Sequence, residues 1–121
     1  MNRMLKKIEE AIAKDPTYKF EAYTFVMAGL HSTVSKLPQP RHVTGQELCA
    51  GLRDYALEQF GPLARTVLDY WGIRRTQDFG KLVFNLIEVE LLRKNDEDSL
   101  RDFEDVFDFN QAFQYEIKEE S

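Results

Sequence analysis

Residues 43–62 read VTGQELCAGLRDYALEQFGP, and both ends of one helix are written into them. Thr44-Gly45-Gln46-Glu47 has the S/T-x-x-E spacing of a capping box, in which the Thr44 hydroxyl accepts from the Glu47 amide and the Glu47 carboxylate accepts from the Thr44 amide. Val43 before the cap and Leu48 after it are spaced for a hydrophobic staple. Leu48, Cys49, Leu52, Ala56 and Phe60 then recur three or four residues apart, the mark of one helical face turned to a core. Gly61 can take a left-handed C′ position, and Pro62 suits the first turn of a following helix, where its missing N–H costs nothing.

Outward from this helix the pattern stays helical. Asn2 to Lys14 carries a narrow apolar stripe of Leu5, Ile8 and Ile12, and Asp15-Pro16 stops it because the residue before proline is pushed out of the α region. From about Lys19 to Leu37, Phe20, Tyr23, Met27, Leu30 and Val34 form a stripe that Phe25 and Val26 widen, which predicts a central helix. Pro38-Gln39-Pro40 makes a stiff connection. After Pro62, a helix to Trp71 should bury Leu63, Val67, Leu68 and Trp71, and Gly72 should end it. Thr76 is a candidate N-cap for a fifth helix from about Gln77 to Leu92, with Asp78 at the positive end of its dipole.

Beyond Lys94 the character changes. Asn95-Asp96-Glu97-Asp98-Ser99 is polar, and Leu100, Phe103, Val106, Phe107 and Phe109 follow among carboxylates at a spacing that fits neither a clean helix nor a clean strand. Two readings stay open: a short β-hairpin pairing residues 91–94 with 100–103, or an extended arm. A last helical turn is expected from Asn110 to Tyr115, followed by a charged end that frays.

The whole chain, 121 residues with 43% apolar and 31% charged side chains, is one domain's worth of folded protein. Its formal charge of −5 hides an asymmetry. Residues 1–94 carry 14 basic and 11 acidic groups, a balance of +3, whereas residues 95–121 carry two against ten, a balance of −8. The acidic-aromatic extension, 95–121, therefore reads either as a docked part of the fold, with Phe103, Phe107, Phe109 and Phe113 as anchors, or as an arm covering a basic surface of the helical body, 1–94. Docking is favoured, because large apolar groups are rarely left in water.

Little in the sequence points to chemistry. Cys49 is a single cysteine on an apolar helix face, His42 precedes the Thr44 cap, and His31 reads as a structural histidine; no metal-ligand spacing is present. The dispersed glycines form no phosphate-binding loop. No catalytic residue, metal or cofactor is therefore expected, and an enzyme would require a cleft holding His31 or His42 beside a carboxylate. One cysteine and no apolar run of signal-peptide or membrane-spanning length point to a cytoplasmic chain away from membranes. Helix, Gly-Ile-Arg-Arg-Thr turn, helix and a hairpin would be the order of a winged helix. Arg65, Arg74, Arg75, Lys81, Arg93 and Lys94 are the candidate contacts to a polyanion or another partner.

The stretch from Arg41, RHVTGQELCAGLRDYALEQFGPLARTVLDYWGIRRTQDFGKLVFNLIE, resembles a small uncharacterised bacterial family first noted in planctomycetes and verrucomicrobia. The resemblance extends to Asp15-Pro16-Thr17-Tyr18 and Glu21-Ala22-Tyr23-x-Phe25-Val26 upstream, and to Asp98-Ser99, Asp102-Phe103 and Phe107-Asp108-Phe109 downstream. It implies a cytosolic bacterial protein that is a single unit including its tail, and it implies no activity. At Val89-Glu90 the chain departs from the family's Ala-Gly, which argues against a tight turn there.

The expectation is thus a mainly α, compact five-helix domain with an acidic-aromatic extension and a winged-helix-like hairpin after the fifth helix as the open detail. The leading function is a small non-enzymatic binding or adaptor protein with a protein partner. The alternative is a nucleic-acid- or ribosome-associated protein.

Overall fold

The computed structural model describes residues 2–95 and 98–114, and these are mainly helical. The elements are α1 (Arg3–Lys14), α2 (Phe20–Ser35), α3 (Gly45–Phe60), α4 (Ala64–Tyr70), α5 (Thr76–Glu88) and a single-turn α6 (Phe109–Ala112). Two 3₁₀ turns, Gly61–Leu63 and Leu100–Phe103, join them.

The capping box forms as its spacing demands: Thr44 Oγ1 accepts from the Glu47 amide at 3.1 Å and Glu47 Oε1 from the Thr44 amide at 2.9 Å. Val43 and Leu48 are both buried beside it. Gly61 adopts a positive φ of 51°, but Gly61–Leu63 closes as a 3₁₀ turn, so α4 begins at Ala64. That tighter turn swings Leu63 outward, 61% exposed where burial was expected. Leu5 is likewise exposed at the outer edge of α1, whose inner face is Ile8 and Ala11.

Helices α4 and α5 end with the same backbone device. At the end of α4 the Ile73 amide donates to Leu68 O and the Gly72 amide to Asp69 O, with Gly72 at φ 95°. At the end of α5 the Leu91 amide donates to Leu86 O and the Glu90 amide to Ile87 O, with Glu90 at φ 66°. Both are Schellman closures, the second built on a residue that carries a Cβ. The chain therefore does turn tightly at Val89-Glu90, and the fifth helix stops at Glu88 instead of Leu92.

The start of α5 also differs from the sequence reading. Thr76 is its first residue and fully buried; Arg75 is the cap residue, and the Asp78 carboxylate receives the Arg74 and Arg75 amides. The other Asp78 oxygen accepts from the buried Tyr18 hydroxyl at 2.5 Å, tying the α1–α2 connection to α5.

The core centres on α2 packed against α3, with α5 laid across α2 and the Leu100–Phe103 turn wedged against α5 and α3. Among the described residues there is no strand, so the expected pairing of 91–94 with 100–103, and with it the winged-helix arrangement, is absent. Local polar bonds favour a turn instead. Asp98 Oδ2 accepts from the Asn95 amide, Ser99 Oγ from the Arg101 amide and Asp102 Oδ2 from the Ser99 amide, which closes the backbone on itself before it can pair with another segment.

Phe103 then sits under two glycines. A Cβ on Gly80 would lie 2.8 Å from Phe103 Cβ, and one on Gly45 would lie 3.0 Å from its ring. Phe103, Phe109 and Phe113 are buried and belong to the same apolar core as α1 to α5. Phe107 is half-buried, its ring stacked on Phe109 at 5.7 Å between centroids. Asp96, Glu97, Tyr115 and the charged end at 116–121 lie outside the described residues.

Candidate functional site

The segment that leads into α3, the end of α5 and the Asp98–Phe103 region meet around an open cleft of about 220 Å³. Its walls are apolar: Leu30 and Val34 from α2, Leu48 from α3, Val83, Phe84 and Ile87 from α5, with Leu92 and Phe103 completing them. Among the described residues, the polar side chains on its lining are Arg41, His42, Thr44, Arg93 and Asp98. The cleft exists because α5 ends early. After the Glu90 reversal the chain brings Leu92 and Arg93 to the rim instead of extending the helix past it.

The rim is organised by two pairs. Arg41 engages Glu47 in a fork, Nη1 to Oε1 at 3.0 Å and Nη2 to Oε2 at 2.7 Å, and Nη1 also donates to the His42 carbonyl. These bonds, Arg41 first and the Thr44 amide second, hold the Glu47 carboxyl well down, at about 2. His42 Nε2 lies 3.0 Å from Asp98 Oδ1, linking the loop before α3 to the turn after α5. This pairing joins residues 56 positions apart, and no local motif announces it. Thr44 is already committed to its cap.

Of the candidate partner-binding residues, Arg93 alone lines the cleft. The others are not gathered into one patch but engage separate neighbours. Arg65 donates to Asn110 Oδ1 and lies over the Phe109 ring, so it fastens the extension. Arg74 pairs with Asp69 at 2.8 Å at the foot of α4. Lys81 is exposed on α5 on the side that bears on Asp15, and Arg75 and Lys94 are exposed. Of the four docking phenylalanines, Phe103 doubles as a cleft wall, while Phe107, Phe109 and Phe113 pack together away from it.

The residues singled out for possible chemistry are separated. His31 is exposed on α2, where a structural role was expected. Cys49 is fully buried, and burial pushes its thiol up to about 12. His42 does stand beside a carboxylate at a cleft, the arrangement an enzyme would have required. Cys49 is not on the lining, and the hydroxyl that is, on Thr44, accepts from the Glu47 amide in the cap of α3. Among the described residues, no three His, Cys, Asp or Glu side chains group as metal ligands, and no helix is long and apolar enough to cross a membrane. Comparison with protein families, curated proteins and solved structures finds no match to this chain.

Proposed function

We propose that this chain is a non-enzymatic binding protein and that its ligand enters the cleft between α2, α3, α5 and the Asp98–Phe103 region. The observation that carries the reading is the distribution of polarity. The cleft has aliphatic and aromatic walls, and among the described residues its few polar side chains are Arg41, His42, Thr44, Arg93 and Asp98. Concave apolar sites with a few placed polar groups are the usual form of a ligand pocket. The Arg41–Glu47 and His42–Asp98 pairs support the same reading, because they fix the shape of the rim before any ligand arrives.

A neutral fluorescent probe tests this. 2-Naphthol, a neutral fluorophore of two fused rings, should bind the protein saturably at one site, and Val34→Trp, which fills the cleft from α2, should abolish the signal while the thermal midpoint stays near that of the parent. Ile87→Phe, filling it from α5, serves as the second variant. Equal binding to parent and both filled variants would overturn the assignment.

A further inference from the structure

We infer that the cleft takes a small amphipathic carboxylate, its apolar body between α2 and α5 and its carboxylate on Arg93. This rests on the cleft being the binding site and adds the chemistry of the occupant. The first step is an account of the charge at the rim. Arg41 spends both terminal nitrogens on Glu47, and Asp98 uses one oxygen toward His42 and the other on the Asn95 amide. Arg93 is exposed, lines the cleft and makes no ion pair among the described residues. Among the described residues, the charged donor on the lining without an ion pair is therefore Arg93, a guanidinium whose planar fork matches a carboxylate.

The second step is size. A dry cavity of about 150 Å³ lined by Leu, Ile and Phe accepts benzene. The present cleft, at about 220 Å³, has room for a body somewhat larger than one ring. Phe84 and Phe103 on the walls supply aromatic surface for such a group. Asp98 acts in the other direction: its negative charge lies on the same lining, so a dianion is disfavoured relative to a single carboxylate.

Phenylbutyrate and its neutral amide, phenylbutyramide, separate the two levels of the proposal by calorimetric titration against the intact protein and Arg93→Gln. The carboxylate should bind the parent about fivefold more tightly than the amide, equivalent to about 1 kcal/mol. That preference should shrink with added salt and fall below twofold in Arg93→Gln, whose amide binding is unchanged. Equal affinity of the two probes for the parent overturns the carboxylate assignment but leaves the cleft as binding site. Binding of neither, together with failure of the neutral fluorescent probe, removes both. Because Arg93 is exposed and makes no ion pair among the described residues, its replacement should leave the fold intact, which an unchanged thermal midpoint of Arg93→Gln checks.

Discussion

Replacing Thr76 by valine removes one oxygen from the junction between the helical body and its C-terminal segment. The Thr76 hydroxyl is fully buried; it donates to Phe103 O at 2.6 Å and accepts from the Val106 amide at 3.1 Å. A hydroxyl has one proton to give and two lone pairs to offer, so this one atom satisfies both a carbonyl and an amide of the segment. Valine keeps the shape and opens no cavity, so the loss is polar. A buried group left without its partner costs about 1–3 kcal/mol. Phe103 is buried and Val106 is half-buried, so water can reach the Val106 amide more readily than the Phe103 carbonyl. The expected destabilisation is accordingly about 2–3 kcal/mol, below the sum of two full penalties. Urea unfolding followed by circular dichroism measures it. Hydrogen exchange should show the amides of residues 100–113 losing protection before those of α2 and α3. Thr76→Ser, which keeps the hydroxyl, should cost about 1 kcal/mol for its lost methyl. A Thr76→Val protein within about 0.5 kcal/mol of the parent, with unchanged exchange in the segment, would refute the reasoning, since surface-like substitutions fall in that range.

Two further outcomes are expected. Glu90, exposed and at φ 66°, carries a Cβ in a conformation that favours glycine; Glu90→Gly should raise stability by about 0.5–1 kcal/mol despite the entropy glycine adds to the unfolded chain, and Glu90→Ala should not. A glycine variant no more stable than the alanine variant in thermal melts would contradict the role assigned to that turn. Glu47, held at about 2 against an ordinary 4.5, is a group depressed by folding. Its contribution is complete above the unfolded value and is lost as pH falls through the folded one, so acid titration from about pH 4.5 to 2 should weaken the parent more steeply than Glu47→Gln. Parallel acid limbs for the two proteins would show that the capping box and the Arg41 fork do not set that slope.

Local chemistry explains which elements were legible in the sequence. The start of α3 could be read because the Thr44–Glu47 box lies within four residues and satisfies itself. The end of α5 could not, because its closure uses Glu90 where a glycine would have marked it. Thr76 was read as a cap from its position before an apolar run. Its hydroxyl instead turns to Phe103 and Val106, partners 27 and 30 residues away that spacing does not reveal. The cleft was illegible for the same reason: Arg93 and Phe103 were both singled out, but for a polyanion surface and a docking tail, and only the tertiary fold makes them two sides of one site.

The acidic extension shows how one composition can suit two structures until the backbone bonds are assigned. A strand or an open arm would present its carboxylates to solvent or to a basic surface. Here Asp98 receives the Asn95 amide, Asp102 the Ser99 amide, and Asp108 the amides of Asn110 and Gln111, while Asp105 accepts from the Gln77 side chain. These acids are spaced as successive turns need them, which is why their neighbours follow neither a helical nor an alternating period. The phenylalanines are left free to point inward, and Arg53 and Arg65 lie over the rings of Phe107 and Phe109. Among the described residues of the extension, Asp98, Asp102 and Asp108 are thus accounted for by turn chemistry. Among the described residues, the charge on the cleft lining without an ion pair is the opposite one, on Arg93, and the proposed carboxylate would meet it there.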